Sequence, residues 1–415
     1  MTATSMPVNA SAIRRQFPAF ERRVSGHAAA YFDAPGGTQV PQGVADAVRD
    51  YLLHHNANTH WAYPTSVETD AMLVRAREAS ADLLGARPDE IAFGANMTTL
   101  TFHVARGLAR GWRAGDEIVV TELDHHANVA PWQAIARDAG LVLRMAPLRA
   151  DRRALDPDVL AGLINARTRL VAAGAASNAI GTMSDVPAIA EMAHAAGALL
   201  FVDAVHFTPH ALVDVRAMGA DLLACSAYKF YGPHVGILYV RHNVAGTLDV
   251  PKLMPAPDAP PERFETGTLN HEGIAGVEAA IDFLASLGGG QGSRRERLAA
   301  SYRWLHDEGE RLIGRLWHGL SAIDGVTLYG LTPGEAPRTP TVAFTLRGVS
   351  SRDVAAALAK DGVFVSHGDF YASTVVERLG FAKEGLVRAG CACYTTDEEV
   401  ERLISGVAQR SARSA

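Results

Sequence analysis

Between residues 91 and 240, short apolar runs alternate with segments of helical hydrophobic period, and few architectures accommodate that alternation. Strands are predicted at 91–93, 117–121, 141–146, 170–174, 199–203, 222–226 and 236–240. Helices are predicted between them at 98–113, 130–139, 157–166 and 186–196. Near-continuous apolar strands joined through helices form a parallel sheet covered on both faces, because each crossover must pass over the sheet. The expected class is therefore α/β, built on a seven-stranded, mostly parallel sheet with helices on both faces. The last strand follows Gly232-Pro233 closely and is expected to run antiparallel.

A Pro-rich stretch over 250–261 breaks the pattern, and the glycine cluster at 288–292 precedes a charged amphipathic helix over 293–316. Strands at 326–329, 341–345, 364–366 and 386–389, with helices at 351–360 and 397–410, read as a small α+β unit. Three parts are expected: an N-terminal segment (1–30) whose helix at 10–17 packs on the small unit, a large domain (31–288) and a small C-terminal domain (289–415).

The 39 Lys and Arg against 45 Asp and Glu leave a net charge of −6, which points away from nucleic acid or an anionic membrane as partner. No apolar run approaches the ~20 residues of a membrane span, and residues 1–17 lack the apolar core of a signal peptide. Cys225, Cys391 and Cys393 form neither a disulfide framework nor a zinc-type spacing. The expected compartment is the cytoplasm. Histidines occur in pairs at His54-His55 and His125-His126, but adjacent side chains diverge and no His-Glu-x-x-His helix occurs, so no metal is expected.

Two strand ends carry the chemistry. The run 199–203 ends in Asp203, and the run 222–226 leads into Ser226-Ala227-Tyr228-Lys229 before a Gly-Pro turn. An amine and a carboxylate thus reach the carboxyl edge of an open α/β sheet, where ligands bind. The pair suits pyridoxal 5′-phosphate (PLP): Lys229 would hold the aldehyde and Asp203 would keep the ring nitrogen protonated. It would also suit a structural ion pair. Thr98 and Thr99 stand where the turn 94–99 opens a helix, an arrangement fit for a phosphate, and Ser226 adds a hydroxyl. His125 follows the strand 117–121 and could stack on the ring; Asn178 and His206 could hydrogen-bond its hydroxyl.

The Ser-x-x-Lys-x-x-Gly-Pro segment around Lys229 resembles the lysine segment of class V aminotransferases, with cysteine desulfurases and selenocysteine lyases as nearest relatives. Tyr31-Phe32-Asp33-Ala34, Asn56-Ala57-Asn58-Thr59-His60, His125-His126-Ala127-Asn128 with Pro131-Trp132, and Phe264-Glu265-Thr266-Gly267-Thr268 match further motifs of that group. The resemblance implies a fold-type I homodimer with PLP at the subunit interface, acting on a small amino-acid substrate. It implies that His125 stacks on the ring, Asp203 pairs its nitrogen and Lys229 binds its aldehyde. Thr98, Thr99 and Ser226 would hold the phosphate, joined by Thr268 from the other subunit. Arg388 would grip the substrate carboxylate through its planar fork, and His60 would contact the substrate.

Three positions depart from that group. Tyr371 stands where desulfurases carry the loop cysteine that accepts sulfur, Tyr228 where they usually have His, and His206 where they usually have Gln. A C–S or C–Se lyase acting by β-elimination, without a protein persulfide, is the expected activity. Transamination, racemisation or epimerisation, and a non-catalytic PLP-binding scaffold remain alternatives. A nicotinamide-dependent dehydrogenase is disfavoured, since no Gly-x-Gly-x-x-Gly follows the first strand.

Overall fold

All seven apolar runs form strands of one sheet: β1 (Ile91–Gly94), β2 (Glu117–Thr121), β3 (Val142–Ala146), β4 (Thr168–Gly174), β5 (Leu199–Asp203), β6 (Leu222–Ser226) and β7 (Gly236–Val240). The computed structural model describes residues 10–149 and 153–414. The start of the expected N-terminal segment, 1–9, lies outside them. The strand order is β1-β7-β6-β5-β4-β2-β3. Only β7 runs against its neighbours, pairing antiparallel with both β6 and β1.

Alternate residues of a strand face opposite sides, and here both sides are core. Val119, Val171, Leu200, Val202 and Leu223 join one cluster with the helices Pro64–Leu84, Val186–Ala195 and His271–Ser286. Ile118, Val120, Ala172, Phe201 and Ala224 join a second with Met97–Ala109 and Ala130–Ala139. Sequence reasoning did not single out the helix Pro64–Leu84. Its buried face mixes Ser66, Thr69 and Ser80 with alanines and leucines, which blurs the apolar stripe.

The C-terminal part forms a four-stranded antiparallel sheet of β8 (Val326–Tyr329), β9 (Thr341–Leu346), β10 (Ser366–Gly368) and β11 (Leu386–Gly390), in the order β8-β9-β11-β10. The helices Arg294–Ser321, Ser351–Lys360 and Asp397–Ser414 cover it. The first of these starts on a capping box, with Ser293 and Glu296 each satisfying the other's backbone amide. The strand expected at 364–366 is divided. Val363–Phe364 pairs with Ala30–Tyr31, whereas Ser366–Gly368 joins the small sheet.

That division positions the site, because the N-terminal segment leaves Tyr31 beside the small sheet, bridges Asp33 to Gly390 and then crosses to the large sheet. The helix Ala10–Arg14 contacts both parts. Phe17, just after it, packs its ring on Tyr231 and Phe283 as well as on Tyr394, and Arg14 reaches the Tyr394 carbonyl and Glu399. No described helix is long and apolar enough to cross a membrane.

Candidate active site

The carboxyl ends of β4, β5 and β6 lie side by side, with Gly174 opposite Asp203 and Asp203 opposite Ala224. Above them opens a cavity of about 1090 Å³ lined by Thr98, Thr99, His125, Asn178, Asp203, His206, Ser226 and Lys229, among others. Eight predicted residues from five separate segments therefore share one wall.

Lys229 ends a short 3-10 turn, Ala227–Lys229, that follows β6 directly. Gly232 packs so tightly on this turn that a Cβ there would lie 2.8 Å from the Ala227 Cβ. The crossing N-terminal segment clamps the turn from above: the Thr38 hydroxyl donates to the Tyr228 carbonyl (3.1 Å) and accepts the Tyr231 amide (2.8 Å). The Lys229 amine donates to the carbonyls of Pro35 and Gly36. It makes no ion pair with Asp203 or any other carboxylate among the described residues, so a structural Lys–Asp pair is not what is found. Burial, then the nearby Arg388 charge, lowers the amine to about 7 against the attraction of Asp203 and Asp33.

Asp203 is buried, takes the Val205 amide at 2.9 Å, and is raised by burial to about 6. His125 accepts the Ala127 amide at Nδ1 (3.0 Å), which leaves its proton on Nε2. Burial and the charges of Lys229 and Arg388 hold it down to about 4, hence neutral at pH 7. At the helix opening, Asn96 caps Thr99 and Ser226 Oγ accepts the Met97 amide (3.0 Å). Among the described residues the Thr98 amide and hydroxyl and the Ser226 hydroxyl proton have no partner, which leaves them for a ligand. Gly236 permits this turn to approach β7, since a Cβ there would lie 2.5 Å from the Asn96 carbonyl carbon.

Arg388, on β11, is 4% exposed. Nη1 donates to the Asn178 carbonyl (2.8 Å), Nη2 to Ser366 Oγ (3.3 Å), and Phe370 lies over the guanidinium at 4.2 Å. Nε is buried without a partner. Among the described residues no carboxylate pairs with it within 4 Å; the nearby Asp33 charge offsets its burial only in part, and a ligand's anion would supply a direct partner.

Three predicted residues do not line this cavity: Arg388, His60 and Thr268. His60 sits on an exposed turn at φ 68°, its ring 3.2 Å from Asp70. Thr268 is exposed on a turn beside a smaller cavity of about 270 Å³ that it shares with Thr99 and His103. The turn itself is anchored by Glu265, which takes both Nη groups of buried Arg77 (2.7 and 3.0 Å) and the Phe93 amide.

Sequence reasoning missed four contributors. Asp33 has a buried Oδ1 without a partner and is raised by burial, with Arg388 and Lys229 nearby. His234 stacks on Tyr228 with ring centroids 4.9 Å apart. His103 and Arg106 extend the cavity wall along the helix begun at Met97. Their spacing from Thr99, i+4 and i+7, was a readable signal of a shared face. The loop carrying Tyr371 is pinned here too. Asn178 Nδ2 donates to the Phe370 carbonyl (2.9 Å), the His126 amide to the Tyr371 carbonyl (2.6 Å), and both aromatic residues hold left-handed backbones (φ 57° and 54°).

The wall fits PLP. Asn178 Oδ1 and His206 Nδ1 are buried polar atoms without partners, as expected where a polar ring supplies the missing bonds. A near-neutral lysine, a buried carboxylate, a neutral imidazole and a free helix-end amide complete a donor set for an aldehyde, a pyridine and a phosphate. Fold and site together define an α/β enzyme of the PLP-binding kind.

Comparison with known proteins agrees. Residues 30–403 match the aminotransferase class-V family. A cysteine desulfurase of Klebsiella pneumoniae subsp. pneumoniae is 32% identical, over 97% of this chain and 98% of its own. An aminotransferase-like protein of Gibberella zeae is 33% identical, over 94% and 96%. The apo structure of a cysteine desulfurase from Thermococcus onnurineus has a TM-score of 0.88 at 28% identity, with 100% of both chains covered. The chain belongs to the class V aminotransferases. It is a cysteine desulfurase-like, PLP-dependent enzyme of fold-type I.

Proposed function

We propose that this enzyme is a lyase that eliminates a sulfur or selenium leaving group from the β-carbon of an L-amino acid and releases it directly. The observation that carries this reading is the state of the thiols. Cys225, Cys391 and Cys393 are buried, burial pushes each up to about 12, and none lines the Lys229 cavity. A buried, protonated thiol is no sulfur acceptor. Tyr371, on the loop, offers only a phenol hydroxyl and no thiol.

When bound, PLP withdraws electrons from the bonds at the substrate α-carbon. Lys229 and Asp203 are the residues for its aldehyde and ring nitrogen, His125 for the ring face, His206 for the ring oxygen with Asn178 beside it on the same wall, and Thr98, Thr99 and Ser226 for the phosphate. Arg388 holds the substrate α-carboxylate through its free Nε edge. The Lys229 amine, lowered by burial to about 7, takes the α-proton as general base. The C–S electron pair departs with sulfur, and water completes the products pyruvate and ammonia.

The working unit in this reading is a homodimer. Thr268 and His60 lie outside their own chain's cavity and serve a second copy, and the exposed Leu53, Trp61 and Met254 (69%, 61% and 91%) supply apolar surface for that contact. The division of the chain near Gly288 belongs to the same reading.

The test is to incubate the PLP-loaded protein with L-cysteine, L-selenocysteine and S-substituted cysteines. Sulfide (or its substituted form), pyruvate and ammonia in equal amounts are expected. Alanine with a protein persulfide would restore a true desulfurase. A keto acid retaining the side chain would mark an aminotransferase, and appearance of the D-isomer a racemase.

A further inference from the structure

The imidazole of His206 is held so that only one of its nitrogens can carry the proton. Nε2 lies 3.0 Å from Thr339 Oγ1 and 3.1 Å from Thr341 Oγ1. Thr339 has another acceptor, the Gly181 carbonyl at 3.4 Å. Thr341 is fully buried, and among the described residues His206 is the only partner of its hydroxyl. A buried hydroxyl with nowhere to donate is costly, so Thr341 donates to Nε2, and a nitrogen that accepts cannot also hold a proton. The ring is neutral, because burial and then His210, Lys229 and Arg388 hold it well below its ordinary value. Its single proton therefore sits on Nδ1, which is buried and has no acceptor among the described residues. The neighbouring His210 ring approaches edge-on at 5.2 Å and makes no hydrogen bond to it.

We propose that His206 is a tautomer-locked donor to the oxygen on the PLP ring, and that Thr341 is the positioning residue that locks it. The inference rests on the PLP reading and adds what orients the ring. Asn178 gives the same wall an unpartnered oxygen, an acceptor, while its Nδ2 is committed to the Phe370 carbonyl. The donor for a negatively charged ring oxygen therefore comes from His206. Thr341 stands on β9, opposite Gly390 of β11 and two residues before Ala343, which faces Arg388. One strand pair thus carries both the lock on the cofactor and the group assigned to the substrate carboxylate.

The experiment uses histidine-labelled protein and 15N NMR, with the His206 signals identified by their loss in His206→Gln. The cofactor-free protein is expected to show the Nδ1–H tautomer; the Nε2–H tautomer would overturn the proposal. Thr341→Val, equal in shape but without the hydroxyl, is expected to shift the ring toward Nε2–H and to weaken PLP binding about tenfold in a fluorescence titration. Thr341→Ser is expected to keep both properties. Unchanged tautomer and affinity in folded Thr341→Val would refute the lock, and the wild-type spectrum decides the matter if that variant does not fold. Failure of the wild type to take up PLP at all would instead overturn the cofactor reading, leaving the tautomer result intact.

Discussion

Replacing Arg388 by methionine should remove recognition of the substrate carboxylate while sparing the rest of the site. Methionine is apolar, of comparable length and flexible enough to fill the space beside Phe370. In the protein, Nη1 is spent on the Asn178 carbonyl and Nη2 only partly on Ser366, while Nε is buried and unpaired. The Nε–Nη2 edge is therefore the two-pronged donor left for a carboxylate. Losing one partner of such a buried, hydrogen-bonded charge pair costs ~2–5 kcal/mol, roughly 30- to 5,000-fold in affinity. The assay measures ligand-induced absorbance changes for an amino acid and for its decarboxylated amine. The wild type should prefer the amino acid by that factor, and Arg388→Met should prefer neither by more than about threefold. A variant that keeps the full preference would show that the carboxylate is held elsewhere. Stability offers a second check. Burial lowers Arg388 from 12.5 to about 10, a penalty of roughly 3 kcal/mol on the charged form. The cofactor-free variant should accordingly be at least as stable as wild type in urea, despite two lost hydrogen bonds.

Lys229→Met should stabilise the cofactor-free protein near pH 7, with the advantage shrinking toward pH 10. The amine is lowered to about 7 in the folded state and returns to ~10.4 on unfolding, so between those values the unfolded chain binds more protons and wild-type stability rises with pH. A pH-independent difference between the two proteins in urea melts would refute the buried, near-neutral amine. Replacing Cys225, Cys391 and Cys393 together by alanine or valine should leave turnover within about threefold, since no thiol forms a covalent intermediate; a collapse of turnover in a folded variant, with a persulfide detected by mass spectrometry on the wild type, would refute direct release. Mixing inactive Lys229→Ala with inactive Thr268→Ala should restore activity if Thr268 serves the partner's site. Absence of recovery after demonstrated subunit exchange would place both residues in one subunit's site.

Much of the site was readable because its residues stand at strand ends, and strand ends are marked by the chain itself. Asp203, Ser226 and Lys229 each close or follow an apolar run, and parallel crossovers bring such ends to one edge whatever the connecting helices contain. His125 and Asn178 follow strands in the same way. The helix Pro64–Leu84 and the splitting of the segment around Val365 were not readable, because small and polar residues buried by tertiary contacts carry no periodic signature.

The order of apolar runs determined the layered α/β architecture, and the residue types at the run ends determined the chemistry available there. Only the tertiary structure decided how those groups are charged and aimed. The crossing N-terminal segment supplies carbonyls instead of a carboxylate to Lys229, β11 inserts a buried guanidinium nearby, and β9 places Thr341 against His206. These contacts join residues up to about two hundred positions apart along the chain. Protonation states and donor directions follow from burial and from which partner is near, and neither is written in the local sequence.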